Sequence, residues 1–141
     1  MDVEIITIGD EVVTGHTVDT NSAFIARTLT ELGLTIKYKT SVGDSIELME
    51  EAFRIALKRA HLIVATGGLG PTDDDLTKRA IVKVFKRNLI FHEEILDDIK
   101  ERFRRRGLEM PALNQNQALL PQGATFFPNK LGSAVGICIA E

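Results

Sequence analysis

The sequence predicts an α/β fold: a three-layer, doubly wound, mostly parallel sheet in a single domain. Three observations predict it. Short apolar runs alternate with stretches of helical periodicity, the pattern of successive βα units. The runs Val3 to Ile8 and Leu62 to Thr66 carry almost no charge, as strands covered on both faces do. Each of these runs then ends in glycine, at Gly9-Asp10-Glu11 and at Gly67-Gly68-Leu69-Gly70. Glycine turns leaving the carboxyl ends of strands form ligand crevices in open sheets.

Val3 to Ile8 is the first strand. Asp19-Thr20-Asn21-Ser22 is a cluster of N-cap residue types, and Phe24, Ile25, Thr28, Leu29 and Leu32 then recur at helical spacing. Gly33 suits the C-terminal cap of that helix. Ile36 and Tyr38 alternate with Lys37 and Lys39, so the second strand has one wet face and is placed toward an edge. Asp44 to Glu47 fits a capping box for a helix buried through Met49, Ala52, Phe53, Ala56 and Ala60. The third strand, Leu62 to Thr66, is continuously apolar and is placed at the centre beside the first.

The next helix turns Leu76, Ala80, Ile81, Val84 and Phe85 inward and Lys78, Lys83 and Lys86 outward. Leu89-Ile90-Phe91 is a short strand or a docking segment; periodicity does not choose. From Glu93 to about Arg106, Ile95, Leu96, Ile99 and Phe103 mark a further helix. Its end, Arg104-Arg105-Arg106 before Gly107, complements the helix dipole and reads as a solvated final turn rather than a phosphate site. Met110 to Gln117 is rich in side-chain amides, and Val135 to Ala140 reads as a last strand. No internal repeat is present.

At 141 residues, the chain is long enough for one core and one domain, residues 1–141. A net charge of −3 gives no electrostatic footprint for nucleic acid or an acidic membrane. The one cysteine, Cys138, excludes a disulfide framework, fits a reducing cytoplasm and reads as buried core filler. Asp2 and Glu4 near the start, with no long apolar stretch, exclude a signal peptide and a membrane span.

Thr66 to Thr77, Thr-Gly-Gly-Leu-Gly-Pro-Thr-Asp-Asp-Asp-Leu-Thr, joins the third strand to a helix start and is the informative stretch. Gly67, Gly68 and Gly70 can bring backbone N–H groups close to a phosphate. Thr72 is a plausible N-cap, and Thr72 to Asp75 fits a capping pattern. Three adjacent carboxylates, Asp73, Asp74 and Asp75, exceed what a cap needs and would repel a bound phosphate. A divalent cation such as Mg²⁺, held by one or two carboxylates and phosphate oxygens, resolves that conflict. Capping and metal-assisted phosphate chemistry both remain open on residue types alone. Asp10 and Glu11, in a long second strand-to-helix connection at the same sheet edge, are either metal or ribose ligands or loop solubilisers. Asn21 is either an N-cap or a ligand contact.

The Thr66–Thr77 string resembles the signature of the molybdopterin-binding superfamily and, within it, the CinA-type (competence/damage-inducible) amino-terminal domain. The MoaB/Mog branch reads roughly T-G-G-T-G-x-x-x-R-D-x-T. Asp75 and Thr77 match that branch's functional aspartate and its threonine, while Leu69 and Asp74 depart from it. Gly9-Asp10-Glu11, Gly15 and Asp19-Thr20-Asn21 resemble the CinA-like G-D-E-x-x-x-G-x-x-x-D-T-N opening. Asp44 matches a second functional aspartate of the molybdopterin-binding branch. Asn129 to Gly136 is similar to the family's N-x-x-G-T-A-P-G segment, with Ser133 for Thr and Val135 for Pro.

The resemblance implies a nucleotide-diphosphate site and metal-dependent hydrolysis of ADP-ribose to AMP and ribose 5-phosphate. Asp75 and Asp44 are its expected catalytic residues. Asp73, Asp75 and Asp10 are the expected ligands of a divalent metal, with a monovalent cation as a second candidate cofactor. Ligand contacts fall to Thr66, Gly67, Gly68, Gly70, Thr72, Asn21 and Ser133. One alternative is molybdopterin binding with adenylyl transfer on the same turn; another is a non-catalytic ligand-binding or assembly domain. The expected partners are a small nucleotide or pterin and a second or third copy of the chain, as homodimer or homotrimer. In the family the domain continues with another helix and a Pro-Gly-bearing strand, and often with a separate deamidase domain. Residues 1–141 are therefore read as this domain truncated at its carboxyl end, or as a natural short form.

Overall fold

A computed structural model describes residues 1–71 and 76–140. The chain forms β1 (Asp2–Ile8), α1 (Asp10–Val13), α2 (Thr20–Glu31), β2 (Thr35–Val42), α3 (Ile46–Arg59), β3 (Leu62–Thr66), α4 (Leu76–Val84), β4 (Leu89–Phe91), α5 (Glu93–Arg105), a 3-10 helix (Ala112–Ala118), β5 (Leu119–Pro121), β6 (Thr125–Phe127) and β7 (Gly136–Cys138). β1, β2 and β3 make a parallel sheet in the order β2-β1-β3.

Alternation along β1 separates the two faces of this sheet. Ile6 and Ile8 join Met49, Ala52, Phe53, Ala56 and Ala80 in one core against α3 and α4. Thr7, of opposite parity, turns the other way and donates to Asp19 at the start of α2. Helices on both faces give the three-layer, doubly wound arrangement. The chain leaves β1 outward to β2 and returns to β3 on the other side, so the strand order reverses between β1 and β3. Their carboxyl ends flank the switch-point crevice.

The central placement of the third strand needs correcting. β1 is central, with Val3, Ile5 and Ile6 fully buried, whereas β3 lies beside it as expected but forms the other edge of the three, and every residue of β3 is only half-buried. A continuous apolar run reports helices on both faces; it does not report hydrogen-bonded neighbours on both edges. The second strand does lie at an edge, as its lysines predict.

Residues beyond α4 build a smaller antiparallel unit. β4 pairs with β5 and β6 with β7. Ile95, Leu96 and Ile99 of α5 pack on Ala118 and Leu120 in a second core. Leu89–Phe91 is thus a strand. The amide-rich stretch closes as the 3-10 helix, with Asn114 and Gln117 buried and bonded to each other at 3.1 Å. Cys138 is not core filler: it is exposed on β7, because this two-stranded ribbon turns alternate residues outward.

Lys78 also departs from its expected outward position. It is buried in α4, and its ammonium donates to the carbonyls of Asn116 (2.8 Å) and Leu119 (3.1 Å). The second unit covers what would otherwise be the wet face of α4, and the backbone carbonyls at its edge supply the acceptors a buried ammonium requires. No helix among the described residues is long and apolar enough to cross a membrane.

Candidate functional site

Three connections meet at the carboxyl edge of the parallel sheet, following Ile8, Val42 and Thr66. Gly9 N–H donates to the Val42 carbonyl at 2.9 Å, which ties the first two together. Two aspartates then lock them. Asp10 N–H donates to Asp44 Oδ2 at 3.0 Å, and Asp44 N–H donates to Asp10 Oδ1 at 2.9 Å. Each carboxylate caps the other's backbone and keeps one oxygen, Asp10 Oδ2 or Asp44 Oδ1, outside the pair. Both side chains stay exposed at the crevice. Gly43 leaves room for this arrangement, since a Cβ there would lie 2.5 Å from Asp10 Oδ1.

The expected capping box at Asp44 is displaced by one residue. Ser45 caps α3, its hydroxyl accepting from Leu48 N–H at 3.4 Å and donating to Glu47 at 2.9 Å. Asp44 is thereby released from α3 and faces Asp10. The connection after β1 contains α1, which sequence periodicity gave no means of finding because its four residues are too few to show a repeat.

The third connection is the glycine turn. Gly67 has φ +105°, and a Cβ there would fall on the carbonyl oxygen of Ile8. Gly68 has φ +62°, and its Cβ would fall on the hydroxyl of Thr77. That hydroxyl donates to the Gly67 carbonyl at 3.2 Å. Thr77 is buried, so α4 fixes the turn from behind. Gly70 is different: it is exposed, and a Cβ there would meet nothing within 4 Å.

Asp19 anchors the remaining wall. It caps α2 by accepting from Ser22 N–H at 2.9 Å and accepts the Thr7 hydroxyl at 2.7 Å. Burial opposes its charge, but hydrogen bonds from Ser22 and Thr7, helped by nearby Lys39, outweigh that and hold its carboxyl below the ordinary range. This places the first turn of α2, with Asn21 exposed on it, at the carboxyl half of β1. The role of Asp19 as a tether was not singled out from sequence; its signal was its place in the N-cap cluster behind a strand ending in Thr7.

Of the expected site residues, the fold brings Asp10 and Asp44 into contact and sets Thr66, Gly67 and Gly68 beside them at the end of β3. Asn21 borders this edge on α2. Ser133 is half-buried in the segment before β7, and the residues after it, Ala134 and Val135, line a small cavity with Leu69, Lys78 and Gln117. That cavity, of about 10 Å³, holds a single water at most. Thr72, Asp73 and Asp75 lie outside the described residues. Among the described residues, no group of three or more His, Cys, Asp or Glu side chains is placed to hold a metal. Asp10 and Asp44 nonetheless match the one or two carboxylates that Mg²⁺ takes alongside phosphate oxygens, and their residue types fit that ion.

Comparison with known proteins decides the family. Residues 4–138 match the sequence family described as "Probable molybdopterin binding domain". A crystal structure of the protein CinA with unknown function, from Thermoplasma acidophilum, superposes with a TM-score of 0.87 at 34% identity, covering 96% of this chain and 79% of that one. The chain is a CinA-like molybdopterin-binding domain. A CinA-like protein of Dictyoglomus thermophilum is 43% identical over 98% of this chain and 34% of its own length. The CinA-like domain thus spans about a third of the length of the curated relatives it matches. The tungsten cofactor synthesizing protein MoaB from Pyrococcus furiosus superposes with a TM-score of 0.59 at 23% identity, covering 96% of this chain and 78% of that one. At that distance the likeness shows a shared fold and no more.

Proposed function

We propose that this domain binds a nucleoside diphosphate sugar across the β1–β3 crevice and hydrolyses ADP-ribose to AMP and ribose 5-phosphate with a divalent cation. The observation that carries this reading is the reciprocal Asp10–Asp44 pair beside a glycine turn that only glycine can form. Asp10 and Asp44 would hold the cation, with Asp75 and Asp73 as the further ligands the sequence suggests. Bound there, a divalent cation neutralises diphosphate charge and lowers the pKa of a coordinated water.

The chain's own groups supply the rest. Backbone N–H groups at Gly67, Gly68 and Gly70 bind phosphate oxygens, Thr66 flanks them, Thr72 is a further contact the sequence suggests, and Thr77 keeps the turn from collapsing. Asp44 orients the attacking water. Asn21 and Ser133 meet the ribose ends of the ligand from the two sides. Water adds to one phosphorus while the bridging P–O bond breaks, and two phosphomonoesters leave.

Incubation with Mg²⁺ or Co²⁺ and ADP-ribose should yield AMP, and Asp10→Asn or Asp44→Asn should lower the rate about 10- to 100-fold. Absence of AMP with every cation tried, from folded protein, refutes the hydrolase. Pterin binding with adenylyl transfer is the second reading, its binding half favoured by the description of the matched family. It requires molybdopterin and ATP to give an adenylylated pterin. Ligand binding without turnover in either assay would leave a binding domain.

A further inference from the structure

We propose that the end of α5 and residues 129–132 of the loop before β7 form a second anion site, which takes a small molecule carrying a phosphate or diphosphate. A cavity of about 360 Å³ opens there, lined by Asp98, Glu101, Arg102, Arg105, Arg106 and Lys130. Four cations and two carboxylates make it locally positive on a chain whose net charge is −3.

Both carboxylates are engaged. Asp98 accepts from Arg102 Nε at 2.9 Å. Glu101 accepts from Arg104 Nε and Nη2 (2.6 and 2.7 Å) and from Arg105 Nε (2.9 Å). The pairs of Arg104 and Arg105 with Glu101 are exposed and weak, but Arg102 is mostly buried and oriented before any ligand arrives, which reduces the entropic cost of binding. Arg102 also donates to the Gly132 carbonyl at 2.6 Å, fastening the loop to the helix. Asn129 closes the loop on itself, donating to the Ala134 carbonyl and accepting from Leu131 N–H. Lys130 is thereby presented to the same cavity. Among the described residues, the side chains of Arg106 and Lys130 have no hydrogen-bond partner and are the free donors.

Complementing the α5 dipole accounts for one or two arginines in the last turn. It does not account for Lys130, which arrives from a different segment and faces cations of its own sign. An anion between them removes that repulsion. Arg104, Arg105 and Arg106 are exposed, as the solvated-turn reading has them, and the proposed site adds Arg102 and Lys130 to the last two at a place separate from the glycine turn.

The test is a titration of ¹⁵N-labelled protein with inorganic pyrophosphate in EDTA at constant ionic strength, followed by amide shifts. The expected result is saturable shifts at residues 102–106 and 129–132. The double variant Arg106→Ala, Lys130→Ala, both at exposed positions, should weaken that binding about tenfold or more while leaving any shifts at residues 67–70 unchanged. The double variant Arg106→Lys, Lys130→Arg should retain it. Shifts confined to residues 66–71, equal effects of chloride at the same ionic strength, or binding indifferent to the alanine variant would each overturn the proposal.

Discussion

At Gly67 a single methyl group would have to share space with the carbonyl oxygen of Ile8, and φ is +105°. Gly67→Ala therefore demands movement of β1 or of the turn, and should cost about 2–3 kcal/mol together with ligand binding. Gly70→Ala is the control. It meets open space at an ordinary φ, and its stability should stay within about 0.5 kcal/mol of wild type. Urea denaturation of the two variants measures the difference. Both glycines look alike in the sequence, because what separates them is the carbonyl of a residue almost sixty positions away. The same holds one residue from Ser45. Asp44 and Ser45 are both good caps by type, and only the neighbouring Asp10 decides that Ser45 takes the helix and Asp44 takes the crevice.

At the scale of elements, two side chains hold layers in register. Asp19 ties α2 to β1 through Thr7, and its carboxyl titrates below the ordinary value of 3.8. A lowered carboxylate pKa stabilises the fold above the unfolded value, and the contribution disappears as pH falls through the folded one. Asp19→Ala should accordingly be destabilised by about 1–2 kcal/mol at pH 7. Its deficit against wild type should shrink progressively below about pH 4. Denaturation series at the two pH values check the sign. Lys78 ties α4 to the second unit through two carbonyls. Lys78→Met takes the ammonium from both carbonyls, although that of Asn116 keeps the Leu119 N–H, and should cost about 2 kcal/mol in thermal or chemical unfolding. Helix positions, the edge placement of β2 and the glycine turn were legible because periodicity, alternating lysines and Gly-Gly are local signals. The inward turn of Lys78 and the outer position of β3 were not, since both depend on where a later stretch of chain folds back.

For the whole molecule, the layers explain why three loops from distant parts of the sequence end together. β1 runs through the centre, and the connections after β1, β2 and β3 all leave from one edge. The sequence resemblance located the acidic and glycine segments, but their mutual contact, aspartate against aspartate, belongs to the fold alone. Buried charge elsewhere is structural. Glu4, fully buried, accepts from Arg59 at 2.8 and 2.7 Å and from Thr40, and these partners lower its pKa. It lies toward the opposite end of β1, away from the crevice. Glu4→Ala should lower stability by about 2 kcal/mol without changing ligand affinity, which separates fold from site. We also propose self-association as dimer or trimer, and light scattering across a concentration series measures it.

The central claim is that a divalent cation, held by Asp10 and Asp44, lets a diphosphate lie against the glycine turn. Calorimetric titration of ADP-ribose with and without Mg²⁺, in wild type and in Asp10→Asn, tests it most directly. The account predicts that Mg²⁺ raises wild-type affinity about tenfold or more and that Asp10→Asn abolishes this gain. Equal wild-type affinity with and without the cation would contradict it.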